Sequence, residues 1–190
     1  MKRNDRSRIF AEDFFDMITL ISGTNRPDSW TRKVADVYKQ RLQRKGVEFA
    51  FFDLVDMPQN MLNNTMYDSK HPDLKTVEEN YLNPASAYIF VVPEYNGSYP
   101  GILKAFIDAS DVRQGFHNKK AAIVGVADGR AGNLRGMDDL TNVLNHMKIN
   151  VLHLKIPVSS VRRQFDDNGE FIAEETLKLI DAQIDLLQAL

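Results

Sequence analysis

The chain contains no cysteine. That excludes disulfides, thiolate metal sites, Cys-x-x-Cys redox chemistry and a cysteine nucleophile together. A redox protein of this composition therefore needs a bound organic cofactor. Long apolar runs are missing too, and no stretch approaches the roughly 20 residues needed to span a bilayer. The N-terminus mixes Lys2, Arg3, Arg6 and Arg8 with Phe10, Glu12 and Asp13 instead of a signal-peptide core, so the cytoplasm is the expected compartment. Charge is nearly balanced at −2, which argues against a general nucleic-acid surface and is milder than an acidic electron shuttle would carry. The four histidines, His71, His117, His146 and His153, lack metal-ligand spacing, so no metal is expected. The Gly-x-Ser-x-Gly elbow, the Walker phosphate loop and the Gly-x-Gly-x-x-Gly dinucleotide fingerprint are likewise absent.

What is present is one domain's worth of ordinary globular sequence, 190 residues with 43% hydrophobic and 26% charged content. Residues 87–92, Ala-Tyr-Ile-Phe-Val-Val, form an apolar run too short for a helix and closed by Pro93. This predicts a central strand buried on both faces. Asn96-Gly97 tolerates positive φ, and Pro100 suits a helix start. In a parallel sheet such a strand-loop-helix unit places its loop outside the carboxyl ends of the strands, where ligands bind. Backbone N–H groups from Glu94 to Ser98 would then face a planar polar ligand. Read alone, the same loop is also an ordinary surface turn.

Earlier in the chain, Met17 opens the first strand, and residues 1–16 read as an appendage to a domain covering 17–190. The strand leads into Ser22-Gly23-Thr24-Asn25-Arg26-Pro27-Asp28-Ser29-Trp30-Thr31 and a helix whose inner face carries Trp30, Val34, Val37 or Tyr38, and Leu42, stopping at Gly46. Hydroxyls and an arginine at a helix N-terminus suit an anion such as phosphate, although Asp28 or Ser29 also reads as a plain cap. A second strand spans residues 47–53. The long segment 54–71, with Met57, Met61 and Met66, is expected to cover a ligand edge, meet a partner subunit or fill gaps beneath the loop. A helix follows over 72–81. A fourth strand at 121–126 ends in a glycine-containing loop, residues 127–133, where Gly129, Arg130 and Gly132 are candidates for close approach to a ligand. The next helix places Leu134, Met137, Leu140, Leu144 and Met147 on one face. A fifth strand is predicted over 151–157, and the final helix is expected to bury Leu177, Ile180, Ile184 and Leu187.

Five strands alternating with helices predict a doubly wound α/β domain, a three-layer flavodoxin-like sandwich whose five-stranded parallel sheet has the order 2-1-3-4-5. Loops 22–31, 93–98 and 127–133 follow strands one, three and four and should meet as one mononucleotide site.

Pro93-Glu94-Tyr95-Asn96-Gly97-Ser98, with Pro100-Gly101, Leu103-Lys104 and Ile107-Asp108 beyond it, resembles the signature of the NADPH-dependent FMN reductase family. That family includes quinone, chromate and azo-dye reductases. The spacing Gly23-Thr24-x-Arg26-x-x-Ser29-x-Thr31 resembles its phosphate loop, with Thr for the common Ser at 24 and for the common Asn at 31. Ala105 and Ala109 depart from the usual Asn and Trp. The resemblance implies FMN as cofactor, NADPH or NADH as co-substrate, and a small-molecule electron acceptor: a quinone, an azo compound, a metal oxyanion or free flavin. It also implies a homodimer or homotetramer. Thr24, Arg26, Ser29 and Thr31 would hold phosphate; Pro93, Glu94, Tyr95, Asn96 and Gly97 the ring; and Gly129, Arg130 and Gly132 its other edge. No side chain stands out as an acid or base. The competing reading is a non-catalytic flavin-binding redox sensor or electron-transfer module.

Overall fold

A computed structural model describes residues 17–58, 66 and 71–190. The proposed appendage 1–16 and most of segment 59–70, including Met61, lie outside the described residues. The elements are β1 (Ile18–Ser22), α1 (Trp30–Arg44), β2 (Phe49–Asp53), α2 (Pro72–Val77), β3 (Ala87–Pro93), α3 (Gly101–Ala109), α4 (Val112–Gly115), β4 (Lys120–Val126), α5 (Leu134–His146), β5 (Asn150–Val151), β6 (Ile156–Val158) and α6 (Glu174–Ala189).

The sheet is parallel with order β2-β1-β3-β4-β5, as expected, and β6 also pairs with β4. β3 lies at its centre with all seven residues buried. Its alternation feeds two cores: Tyr88, Phe90 and Val92 pack with α2, α3 and α5, while Ala87, Ile89 and Val91 pack with α1 and α6. A strand buried on both faces needs such a continuous apolar run, because neither side of its pleat meets water.

α1 begins at Ser29, whose side chain accepts from Arg32 N, and ends before Gly46 at φ +67, where a Cβ would be strained. Both Val37 and Tyr38 are buried. Buried Tyr38 donates to Gln183 Oε1 at 2.7 Å, and Gln183 Nε2 donates to the carbonyls of Ile123 and Leu154. This polar chain ties α1, α6 and β4 together with its hydrogen-bonding capacity met.

α2 continues into a wider helical turn, Glu78–Leu82, with a bond from Asn83 N to Glu78 O. Thr19 Oγ1 donates to the carbonyl of Tyr81, while the Tyr88 hydroxyl and Lys119 Nζ donate to that of Leu82. Met57 and Met66 pack on the adjoining core, which supports the gap-filling reading of those two methionines.

Two expectations need correction. The fifth strand is not continuous: Ala121 pairs with Val151 and Val124 with Ile156, so three steps along β4 match five along its partner. The two surplus residues bulge out, Leu154 O is satisfied by Gln183 instead of the ladder, and Pro157 has no N–H to give. Leu134, expected on the inner face of α5, is 51% exposed; Met137, Leu140, Leu144 and Met147 are buried as expected.

Candidate functional site

At the carboxyl end of the sheet, loops from β1, β3 and β4 enclose a cleft of about 720 Å³. It is lined by residues 26–31, 93–97 and 126–129, with Val161 and Arg162 from the segment after β6. The convergence follows from topology, since β1 and β3 are neighbours from which the chain winds outward in opposite directions.

Loop 26–31 is fixed from below. Asp53, nearly fully buried at the end of β2, accepts from Val55 N and from Arg32 Nη1 at 2.7 Å. This bond clamps the first turn of α1 to the sheet. Ser29 caps the helix while also lining the cleft, so capping and lining coexist in one residue. Thr31 is buried and Arg26 exposed, both on the cleft wall. Thr24 is not on that wall. It is fully buried, accepts from Arg26 N at 3.2 Å, and shares a 2.7 Å hydrogen bond with the Tyr95 hydroxyl.

Residues 95–98 form a tight turn in which Tyr95 and Ser98 exchange backbone hydrogen bonds. Asn96 and Gly97 have φ of +53 and +82, the Asn-Gly geometry of a type I′ turn. The expected run of ligand-facing N–H groups is therefore shorter. Glu94, Tyr95 and Ser98 donate within the protein, while the N–H groups of Asn96 and Gly97 have no partner among the described residues.

From β4, Gly129 lines the cleft with open space where a Cβ would stand. Arg130 and Gly132 lie outside the lining. Gly132, at φ +56, serves packing: a Cβ there would come within 2.7 Å of Pro157. Buried Asn133 follows, and its Nδ2 donates to the carbonyls of Val92 and Pro93 at 3.1 and 2.9 Å, binding the third loop to the second.

Sequence reasoning missed Asp128, Trp30 as a wall residue, and Arg162. Trp30 was legible only as an inner-face residue of α1. Arg162 follows Ser159-Ser160 in a loop without glycine, and no local pattern there says that the segment reaches the cleft.

The donor set fits FMN. A cation and hydroxyls stand at the start of α1, where the helix dipole favours an anion, and two unspent peptide N–H groups stand in the 95–98 turn. The cleft is within the size range of small-ligand sites. Fold and cleft together define a doubly wound mononucleotide-binding protein. The sequence profile of the NADPH-dependent FMN reductase family matches residues 17–161, and the chain belongs to that family. It is 30% identical over 146 residues to the NAD(P)H-dependent FMN reductase of Pseudomonas aeruginosa, covering 75% of this chain and 78% of the relative. A 2-hydroxy-1,4-benzoquinone reductase from a Burkholderia species is 26% identical over 172 residues, 88% of this chain and 92% of that protein. Among solved structures, the flavoenzyme FerB of Paracoccus denitrificans, an NAD(P)H:(acceptor) oxidoreductase, shares the fold with a TM-score of 0.72 at 21% identity, covering 92% and 98% of the two chains.

Proposed function

We propose that the chain is an NAD(P)H-dependent oxidoreductase that holds FMN in this cleft and delivers electrons to a small quinone. The observation that carries the reading is the pairing of the α1 N-terminus with the two unpartnered N–H groups of Asn96 and Gly97. One end suits a phosphate and the other a polar ring edge. When bound, FMN supplies an isoalloxazine able to accept hydride from a nicotinamide and pass electrons onward. Arg26, Ser29 and Thr31 neutralise and hydrogen-bond the phosphate. Thr24 holds their loop from beneath. Residues 93–97 orient the ring, Asn133 keeps that segment against the β4 loop, and open space at Gly129 leaves room for the other edge. Gly132 supports this loop by its close packing on Pro157, while Arg130 is exposed outside the lining.

Quinone as acceptor is favoured by the likeness to the Burkholderia benzoquinone reductase; free flavin is the next choice, by the likeness to the Pseudomonas FMN reductase. Azo compounds and metal oxyanions follow. The same reading includes a cytoplasmic homodimer or homotetramer and a flavin domain that runs from Met17 to the end of the chain. The test is to release and identify the flavin of the purified protein by mass, then to follow NADPH and NADH oxidation with and without 1,4-benzoquinone. The reading expects FMN and many turnovers per flavin. A single stoichiometric reduction without turnover would instead support the redox-sensor reading.

A further inference from the structure

Arg162 shares the cleft with Arg26, and its backbone is held firmly. Val161 N donates to Ala127 O at 3.1 Å, Ser160 N to Gly129 O at 3.0 Å, and Ala127 N to Val158 O at 3.1 Å. Val161 is buried beside it and Ser160 takes the left-handed conformation, at φ +46. These bonds zip the β4 loop to the segment after β6 and bring Arg162 to the cleft wall. There the guanidinium carbon sits 5.6 Å from the centroid of the Trp30 ring. Nε donates to both carboxylate oxygens of Asp128 at 3.1 Å. The two Nη groups have no partner among the described residues.

A guanidinium carries five N–H donors in a rigid fork. Here one edge is used for orientation and the rest is unspent. An exposed ion pair is worth at most about 1 kcal/mol, so Asp128 aims the group without competing strongly for it. The charge balance of the wall also matters: Asp28, Glu94 and Asp128 stand against Arg26 and Arg162. Without Arg162, a dianionic ligand would face three carboxylates with one cation.

We propose that Arg162 is a second phosphate-binding side chain of the cleft, its free Nη groups engaging a phosphate monoester alongside Arg26. The monoester is either the 5′-phosphate of FMN or the 2′-phosphate of NADPH. The inference rests on the flavin reading above.

The test compares Arg162→Ala with the wild type, using the full chain freed of flavin by reversible exchange. Calorimetric titration with FMN and with riboflavin reads the 5′-phosphate. kcat/KM for NADPH and NADH on flavin-saturated enzyme reads the 2′-phosphate. Charge-assisted bonds predict a loss of about tenfold or more. A loss for FMN that spares riboflavin assigns the 5′-phosphate, and a loss for NADPH that spares NADH assigns the 2′-phosphate. Arg163→Ala is the control, since it makes the same charge change one residue away, outside the lining. Unchanged discrimination in Arg162→Ala, or an equal effect from Arg163→Ala, overturns the proposal while leaving the flavin reading intact. Should Arg162→Ala weaken FMN and riboflavin equally with a lowered Tm, Arg162→Lys decides. That variant keeps a cation beside Trp30 without the fork, and a non-selective loss there too overturns the proposal. A wild-type protein that binds neither FMN nor riboflavin removes the flavin reading and this inference together.

Discussion

The hydroxyl of Tyr95 lies 2.7 Å from Oγ1 of Thr24, across 71 residues of sequence. Thr24 Oγ1 also accepts from Arg26 N, so one buried hydroxyl orders the loop before α1 and links it to the 95–98 turn. The first and second loops of the cleft are thereby joined.

Removing that join should weaken ligand binding even though Thr24 does not line the cleft. Tyr95→Phe is expected to cost about 1 kcal/mol, roughly fivefold in FMN affinity. Thr24→Val should cost more, since it also removes the acceptor of Arg26 N, and the double variant little more than Thr24→Val alone, because the bond to Tyr95 is already gone. Fluorescence titration of FMN completes the cycle. Additive losses would mean that the two hydroxyls act independently.

Arg26 is predicted to read the phosphate. Arg26→Ala should lower FMN affinity by about 1.5 to 3 kcal/mol, or ten- to a hundredfold, while riboflavin binding barely changes. The measurement belongs at fixed ionic strength, since an exposed contact is screened by salt. Equal losses for both ligands would indicate damage to the fold.

Two glycines should respond to alanine with opposite sign. At Gly125, in β4, an added Cβ would lie 2.1 Å from the carbonyl oxygen of Gly132, a backbone atom that cannot step aside. Gly125→Ala is expected to destabilise by about 1 to 3 kcal/mol through overpacking. At Gly101, the first residue of α3, an added Cβ meets nothing within 4 Å and no positive φ forbids it. Gly101→Ala should stabilise by about 0.4 to 1 kcal/mol by restricting the unfolded chain. Urea denaturation measures both.

Lys119 introduces a pH dependence. Burial lowers its ammonium to a pKa of about 8 from 10.5. Between these values the unfolded chain binds a proton that the folded chain has released, so this group makes stability rise with pH from about 8 to 10.5. Comparing the urea midpoint of wild type with that of Lys119→Met across this range subtracts the other titrating groups. The wild type should gain relative to the variant as pH increases, and a constant difference would show that Lys119 titrates normally.

Much of this arrangement was legible in sequence because the signals were local. The apolar run of β3 with Pro93, the Asn96-Gly97 turn, and the hydroxyls and Arg26 before α1 each act within a few residues. Topology then follows from strand-helix alternation. What escaped depends on distant partners. The broken fifth strand reads as continuous because the group that satisfies Leu154 O is Gln183, 29 residues away on α6. Gly132 resembles a ligand-loop glycine until Pro157 is found against it. Arg162 belongs to the cleft only through the backbone bonds that carry its loop to the β4 loop.

The bulge between β5 and β6 acts as slack in the chain. Because it holds two surplus residues instead of one, the inside-outside alternation survives, and Leu152, Ile156 and Val158 all stay in the core shared with α1 and α6. Pulling that slack straight would move every later residue by about 6 to 7 Å along the strand direction, at roughly 3.3 Å per residue. Val161 and Arg162 would then overshoot the cleft mouth. The length of this bulge thus acts as a ruler for the reach of the last loop, and a two-residue deletion within 152–155 would take up the slack, leaving Ile156 opposite Val124 and the cleft's fourth wall in place.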